Sequence, residues 1–146
     1  RFCIEDCGFD IQQSRARFDA IARERAHRPR RSFHLGLFEA GQFCGLATLS
    51  LRAISKRAAA FELRLAASHC GRYGLAVDAA SALIDYGFTD LRLAAITGAC
   101  RRARVVQVGV MFGAAVHAQN AGVAEWTITP DTWRAAPARR RLLQLA

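Results

Sequence analysis

Hydrophobic and polar residues alternate on either side of residue 40 and predict a β-hairpin. The two alternating stretches are Ser32–Glu39 and Gln42–Leu51, and Ala40-Gly41 separates them. A period of two is typical of a strand with one buried face, and a two-residue connection with glycine is typical of a tight hairpin turn. A third strand is predicted around Phe61–Ala66, after a polar, basic link over Arg52–Arg57.

Elsewhere apolar residues recur every three to four positions and predict helices. The clearest helix runs from Leu75 to Phe88, where Leu83 and Ile84 fall on its apolar face. Further helices are predicted from Ile11 to about His27, from about Arg102 to Phe112, and over Thr129–Trp133. Shorter alternating stretches predict strands over Arg92–Thr97, Ala115–Gln119 and Val123–Thr129.

The order of these elements, α-β-β-β-α-β-α-β-β, predicts one mixed α/β domain over residues 1–146. No stretch comes near the roughly 20 apolar residues that a membrane helix needs, and no secretory signal is visible, so we expect a cytoplasmic protein. The chain begins at Arg1, which is compatible with a missing N-terminal strand.

The segment between the third strand and the helix Leu75–Phe88 carries the strongest functional signal. It reads Ser68-His-Cys-Gly-Arg-Tyr-Gly-Leu-Ala-Val-Asp-Ala79, with glycines at positions 71 and 74. A strand, a glycine-bearing loop and a helix in this order present main-chain N–H groups and a helix N-terminus to an anion. Glycine also lets a bulky phosphate approach the backbone. We therefore expect a phosphate-bearing ligand at this loop.

The chain is basic, with 21 Lys and Arg against 12 Asp and Glu and a net charge of +9. Lys56 is the only lysine, so the many arginines reflect a compositional preference rather than a dedicated nucleic-acid site. The arginine clusters at 28–31, 101–104 and 139–141 are not interleaved with aromatic residues, and no RNA-recognition pattern occurs. We do not expect a nucleic-acid partner.

The cysteines indicate reduced thiols rather than a disulfide framework. They are odd in number and irregularly spaced, at positions 3, 7, 44, 70 and 100. Cys3 and Cys7 have no second ligand pair at zinc-finger spacing, so no metal site is expected.

Several pieces of the chain, taken in order, resemble the GNAT family of acyl-CoA N-acyltransferases. The branch they resemble is typified by the ribosomal-protein N-terminal alanine/serine acetyltransferases, and the likeness covers roughly residues 32–135. The pieces are the hairpin Phe33–Ser50, the pair Glu62-Leu63, the loop Gly71–Ala79, the helix segment Ala82–Phe88 and the closing segment Glu125–Trp133. The resemblance implies the GNAT fold, whose central sheet is mixed, mostly antiparallel and flanked by helices.

The chain departs from the family pattern near the expected thioester. The first loop position, usually Arg or Gln in the family, is Gly71. The family's Asn-x-x-Ser, which opens the next helix, falls near Arg102 and Val105, and the Gly-Phe that ends this helix is Gly113-Ala114. The glycine-bearing loop keeps the general pattern of the family's phosphate loop, whereas the residues expected to make polar contacts with the thioester differ from the family's.

The resemblance implies acetyl-CoA as co-substrate. Main-chain N–H groups of the loop would bind the pyrophosphate, and arginines would add positive charge beside it. The third strand would hydrogen-bond the pantetheine amides as if they formed a further strand. The CoA-binding residues implied in this way are Leu63, Leu65, Gly71, Arg72, Tyr73, Gly74, Leu75, Ala76 and Arg102.

Acetyl transfer to an amine needs a base, an N–H donor for the carbonyl oxygen and a proton for the leaving thiolate. Glu62 is the candidate base, because a carboxylate on the central strand can lose part of its hydration; a strand carboxylate paired with an arginine is the competing interpretation. The N–H of Leu65 is the candidate donor, and no tyrosine matches the family's acid. His69 as a base and Cys70 as a nucleophile are weaker alternatives.

The predicted function is direct transfer of an acetyl group from acetyl-CoA to a primary amine, either a protein N-terminus or a small molecule. The alternative is a degenerate domain that binds CoA or a protein partner without turnover. A basic nucleic-acid-binding module has only the net charge in its favour. We expect a monomer or a homodimer.

Overall fold

The computed structural model describes residues 31–52, 55–69, 71–101, 105–120 and 122–145, together with Asp19 and Arg23. Within these residues six strands form one sheet, and helices pack against it. The strands are β1 (Ser32–Glu39), β2 (Gln42–Arg52), β3 (Ser55–Leu65), β4 (Ala95–Arg101), β5 (Ala115–Asn120) and β6 (Val123–Ile128). The helices are α1 (Tyr73–Thr89), α2 (Val105–Phe112), α3 (Pro130–Ala135) and α4 (Pro137–Leu145), with a 3₁₀ turn at Ala67–His69.

The sheet is mixed, with the strand order β1-β2-β3-β4-β6-β5. Every neighbouring pair is antiparallel except β3 and β4, which run parallel at the centre. Parallel neighbours need a crossover connection, and α1 supplies it between β3 and β4. This arrangement confirms the predicted fold class, a mostly antiparallel sheet flanked by helices.

The β1–β2 hairpin forms as predicted. Ser32 pairs with Ser50 at one end, and Glu39 pairs with Gln42 beside the turn. The turn residues Ala40 and Gly41 have φ angles of 47° and 79°. Two left-handed residues in succession match the right-handed twist of the flanking strands, which explains the tight connection.

The core lies between α1 and one face of the sheet. The helix buries Ala76, Val77, Ala80, Leu83 and Ile84, and β3 buries every second residue from Ala59 to Leu65. Gly87 allows the closest approach, since a Cβ there would lie 2.9 Å from Ile96 Cδ1. Burial of these apolar side chains fixes α1, and with it the loop at its N-terminus, against the sheet.

β3 is longer than predicted. It begins at Ser55 rather than near Phe61, so half of the predicted link Arg52–Arg57 belongs to the strand. Residues 55–57 are polar and carry no alternation of apolar and polar side chains. The prediction therefore started the strand where the large apolar residues begin, which was wrong by six positions.

β4 begins at Ala95, later than the predicted start at Arg92. Arg92 has a φ of 52°, a left-handed conformation that interrupts a strand. The N–H of Leu93 donates to the carbonyl of Gly87 at 3.0 Å, and the N–H of Ala94 donates to the carbonyl of Arg57 at 2.6 Å. Residues 92–94 therefore form a turn that joins the end of α1 to the sheet.

Two short helices follow β6, and only the first was predicted. Thr129 caps α3, because its Oγ1 accepts a hydrogen bond from the N–H of Thr132 at 3.4 Å, while the N–H of Thr129 donates to Thr132 Oγ1 at 3.1 Å. Pro130 occupies the first turn, where its missing N–H does no harm. α4 escaped prediction because its sequence is rich in arginine and has only a narrow apolar stripe.

The predicted helix Ile11–His27 lies outside the described residues except for Asp19 and Arg23, which are helical. Cys3, Cys7, Cys70 and Arg102 lie outside them as well. Among the described residues no helix combines the length and the apolar character that crossing a membrane demands.

Candidate active site

The two parallel strands at the centre of the sheet separate partway along their length. β3 and β4 pair from Ala58 with Ala95 to Ala60 with Thr97. Beyond that point β3 continues beside β2 to Leu65, and β4 continues beside β6 to Arg101. An opening therefore lies in the middle of the sheet, bordered by main chain on both sides.

Hydrogen bonds at both ends of β3 show which residues face this opening. The carbonyl of Arg57 accepts from Ala94 on the β4 side, and the N–H of Ala66 donates to Cys44 on the β2 side at 2.7 Å. Because successive residues of a strand turn their main-chain groups to opposite sides, the odd-numbered residues face β4. Phe61 and Leu63 thus direct their N–H and C=O groups into the opening, and Leu65 follows the same phase.

A cavity of about 400 Å³ lies where the strands part. The described residues that line it are Ala60, Phe61, Thr97, Gly98, Ala99, His117, Glu125, Trp126 and Thr127. The Trp126 ring packs against Phe61 with centroids 6.0 Å apart, directly over Gly98, where a Cβ would come within 2.3 Å of the ring. Trp126 Nε1 is buried and has no hydrogen-bond partner among the described residues.

The loop after β3 leads into the first turn of α1. Gly71 has a φ of 86°, which turns the chain toward the helix that begins at Tyr73. The N–H of Arg72 donates to the carbonyl of His69, and the N–H of Ala76 donates to the carbonyl of Arg72, both at 3.2 Å. Of the amides predicted to bind an anion, these two are therefore already used within the protein.

Two arginines flank this first turn. The guanidinium of Arg72 contacts the carboxylate of Glu39, at the end of β1. Arg141, from α4, pairs with Asp78 at 3.0 Å, and its Nη2 lies 3.8 Å from the position a Cβ would take on Gly74. Positive charge thus stands on both sides of the helix N-terminus.

A small polar cluster adjoins the same loop. Glu39, Cys44 and His69 offer ligand atoms within 4.8 Å of one another, which are residue types that can bind a metal ion. His69 Nδ1 lies 2.8 Å from Ser68 Oγ, and its Nε2 lies 3.8 Å from Glu39 Oε2. The guanidinium of Arg72 already neutralises the negative charge of Glu39, so the cluster needs no cation for charge balance. The absence of a metal remains a prediction.

Glu62, the predicted base, is paired with an arginine. Its Oε1 accepts from Arg64 Nε at 2.7 Å, and Arg64 Nη2 lies 2.5 Å away. The side chain is 40% exposed and stands on the sheet face opposite α1, across from Thr48. Glu62 is therefore surrounded as the competing interpretation predicts, as a strand carboxylate paired with an arginine. The role of Glu62 in catalysis stays a prediction.

The structure adds three residues to the site that sequence reasoning did not single out. Arg141 reaches the loop only because α4 folds back onto α1. His117 and Glu125 line the cavity from β5 and β6. Arg141 belongs to the basic cluster 139–141 visible in the sequence, but nothing in that cluster indicates which arginine turns toward the loop.

Comparison with protein families identifies the class. A model of the GNAT acetyltransferase domain matches residues 5–111, which is most of the chain. This protein therefore belongs to the GNAT family, a family of acetyl-CoA-dependent acetyltransferases.

The fold is similar to solved acetyltransferase structures. The spermidine N-acetyltransferase from Vibrio cholerae in complex with CoA and spermine is 17% identical, with a TM-score of 0.66 over 89% of this chain and 81% of that one. The dodecameric structure of that enzyme in an intermediate state is 20% identical, with a TM-score of 0.67 over 83% and 77% of the two chains. A probable acetyltransferase is 18% identical, with a TM-score of 0.65 over 83% and 75%.

At these identities the structural likeness shows the fold alone. No curated protein matches the sequence. The family implied by the sequence is confirmed, whereas its ribosomal-protein branch is not.

Proposed function

We propose that this protein transfers the acetyl group of acetyl-CoA directly to the primary amine of a small molecule. The observation that carries the proposal is that β3, which borders the opening, continues through the loop after it into the first turn of α1. An elongated ligand with a phosphate at one end and a reactive group at the other matches this arrangement. The spermidine acetyltransferase of similar fold, which was solved with CoA and spermine, supports both parts.

The first turn of α1 fits a pyrophosphate. The N–H groups of Gly74 and Leu75 lie in the first turn, where the helix itself offers them no carbonyl, and neither donates to a main-chain carbonyl outside the helix among the described residues. A Cβ at Gly71 would meet no atom of the described residues within 4 Å, which leaves the approach to the main chain open on their side. The helix dipole adds attraction for negative charge at this end.

The opening between the strands fits the amide-bearing pantetheine arm. Phe61 and Leu63 turn main-chain donors and acceptors into it, and such groups bind an extended amide chain as a neighbouring strand would. Leu65 N–H is the proposed donor to the acetyl carbonyl. Trp126 Nε1, buried without a partner among the described residues, is a second donor that a carbonyl of the ligand would satisfy.

Arg141→Ala is expected to weaken CoA binding by roughly fivefold, because it removes a guanidinium beside the proposed phosphate site. The loss should shrink as salt rises, since the interaction is partly exposed. Calorimetric titration with CoA measures it, and Arg134→Ala, which removes an exposed arginine paired with Asp131 on α3, is the matched control. Equal CoA affinity in wild type and Arg141→Ala would remove Arg141 from the site.

Glu62→Gln is expected to lower kcat by about a hundredfold and to leave the Kd for CoA unchanged, because a general base acts on the amine and not on the co-substrate. Stopped-time thiol-release assays measure kcat, and calorimetry measures the Kd. Glu62→Asp should recover part of the rate. An unaltered kcat would assign Glu62 to the ion pair with Arg64 and to nothing more.

Two measurements on the wild-type protein test the proposal as a whole. Calorimetry with CoA and acetyl-CoA should give a saturable heat, and acetyl-CoA with a panel of primary amines should release free thiol. No heat and no thermal shift at millimolar CoA would overturn it. Saturable binding without thiol release across the panel would favour the second candidate, a domain that binds CoA without turnover, which the pairing of Glu62 with Arg64 also favours.

A further inference from the structure

The polar cluster of Glu39, Cys44 and His69 contains the three kinds of side chain that bind zinc in proteins. Its thiol, imidazole and carboxylate offer ligand atoms within 4.8 Å of one another. Zn²⁺ binds cysteine sulfur, histidine nitrogen and carboxylate oxygen at about 2.0–2.3 Å, so two ligand atoms on one tetrahedral ion lie about 3.4–3.6 Å apart. His69 Nε2 and Glu39 Oε2, which are 3.8 Å apart, are already close to that separation.

The imidazole of His69 is oriented for metal binding. Its Nδ1 lies 2.8 Å from Ser68 Oγ, which can accept the Nδ1–H of the neutral ring and leave the lone pair on Nε2. The 3.8 Å between Nε2 and Glu39 Oε2 is too long for a hydrogen bond, and Nε2 makes no hydrogen bond to another described residue. Two acceptor atoms therefore face each other across a gap. A histidine held through its other ring nitrogen is the usual arrangement at a metal.

The sulfur of Cys44 is held in place by the fold. The side chain is fully buried, and its thiol donates to the carbonyl of Gln42 at 3.2 Å. Two main-chain hydrogen bonds connect Cys44 to the histidine. The N–H of Ala66 donates to the carbonyl of Cys44 at 2.7 Å, and the N–H of His69 donates to the carbonyl of Ala66 at 2.9 Å. The sulfur and the imidazole thus keep their relative position, and Glu39, whose side chain is 41% exposed, is the ligand that can move to meet an ion.

We propose that Glu39, Cys44 and His69 form an exchangeable site for a thiophilic divalent cation, Zn²⁺. On binding, Cys44 Sγ forms a bond to the metal and releases its proton to solvent. His69 Nε2 and a carboxylate oxygen of Glu39 each donate a lone pair, and nothing is oxidised or reduced. Water fills the fourth position from the exposed side of Glu39. The site does not depend on the proposed function.

The contact between Arg72 and Glu39 is compatible with such an ion. A carboxylate has about four lone-pair sites, so Glu39 can accept from the guanidinium and bind a metal at the same time. While the thiol keeps its proton, Arg72 balances the charge of Glu39 and the protein needs no resident metal. The ion enters by replacing that proton. The sequence-based expectation of no metal considered Cys3 and Cys7, and it did not include this cluster because its residues meet only in the fold.

Titration with cobalt tests the thiolate ligand. Co²⁺ substitutes for Zn²⁺ at sites of this kind, and a bond from a soft thiolate to Co²⁺ gives a charge-transfer band in the near ultraviolet. The reduced wild-type protein should show a saturable band that Zn²⁺ removes by displacement and Mg²⁺ does not. Cys44→Ser should lose the band of the first equivalent. Cys100→Ser, which removes another buried thiol, is the matched control and should keep it.

Glu39→Gln and His69→Gln test the other two ligands and leave Cys44 in place. Each should raise the Kd for Co²⁺ by about tenfold or more, because a ligand to the metal is lost. Asp131→Asn is the matched control for Glu39→Gln. It also removes one carboxylate, but Asp131 is 84% exposed on α3 and pairs with Arg134, so its Kd should equal that of the wild type.

Thermal unfolding gives a readout that is independent of the spectrum. Zn²⁺ at a concentration about a hundredfold above its Kd should raise the melting temperature of the wild type by about 5–10 °C, since it binds the folded chain and joins β1, β2 and the 3₁₀ turn. At the same Zn²⁺ concentration this rise should be smaller in Glu39→Gln and in His69→Gln.

The absence of a charge-transfer band in the wild type would overturn the proposal, and so would an unchanged band in Cys44→Ser. If Cys44→Ser does not fold, the two glutamine variants decide. Wild-type affinity for Co²⁺ in both of them would mean that a thiol alone binds the ion and that the three-residue site is wrong. None of these measurements includes CoA, so the proposed function stands or fails separately.

Discussion

Gly74→Ala is expected to lower the affinity for CoA by about tenfold or more, although the apo protein keeps its melting temperature or gains slightly. Among the described residues the added methyl would meet Arg141 Nη2 alone, at 3.8 Å, so the fold accommodates it. Alanine also favours a helix over glycine by up to about 1 kcal/mol. The same methyl stands before the N–H groups of the first turn, where a pyrophosphate must approach closely. A substitution that maintains or raises stability but weakens CoA binding marks a position where the ligand lies close to the main chain.

Ala82→Ser is the control for this variant. It adds one heavy atom to an exposed position of the same helix, more than two turns away from the loop. Its CoA affinity should equal that of the wild type. If calorimetry gives Gly74→Ala the wild-type affinity as well, the phosphate does not bind at the N-terminus of α1, and the binding mode proposed above has to be abandoned.

The parts of this protein that sequence reasoning predicted well are governed by local chemistry. The turn at Ala40-Gly41 needs two residues in the left-handed conformation. The cap at Thr129 needs a side-chain hydroxyl that can accept a hydrogen bond from the N–H of Thr132, three residues later. The loop before α1 follows in the same way from Gly71, whose φ is 86°. In each case neighbouring residues determine the backbone conformation, so the local sequence is enough to predict it.

The parts that were not predicted depend on contacts between distant residues. Arg141 stands beside α1 because it pairs with Asp78, 63 positions earlier. His117 lines the cavity because β5 pairs with β6, and the sequence alone does not show which strands are neighbours in the sheet. The separation of β3 from β4 is likewise a property of the sheet. Glu125 appeared in the sequence only as part of a closing strand.

The acidic residue that binds Arg72 was also out of reach of sequence reasoning. Arg72 was predicted to add positive charge beside the phosphates, and the structure shows in addition that its guanidinium contacts Glu39. The pair holds the arginine in one orientation next to the helix N-terminus. Because both side chains are about half exposed, the pair contributes little to stability, and its value lies in positioning the cation.

One carboxylate joins the helices α1, α3 and α4. Asp85, on α1, accepts a hydrogen bond from Trp133 Nε1 of α3 at 2.8 Å and from Arg139 Nε of α4 at 3.3 Å. Trp133 is 1% exposed, and its ring stacks on Phe112 with an interplanar angle of 9°. The arrangement fixes α4, and therefore Arg141, relative to the first turn of α1.

Trp133→Ala is accordingly expected to lower the free energy of unfolding by about 3–5 kcal/mol, since it empties a large buried volume and leaves Asp85 with one partner fewer. Trp133→Phe keeps most of the stacking surface and removes only the N–H and part of the ring, so a loss of about 1–2 kcal/mol is expected. Urea unfolding followed by far-ultraviolet circular dichroism measures both. Because α4 carries Arg141, Trp133→Phe should also weaken CoA binding modestly, although Trp133 is buried away from solvent. Wild-type stability in Trp133→Phe would show that the bond to Asp85 stabilises nothing, and α4 would then be held by its apolar contacts and by the Arg139–Asp85 pair alone.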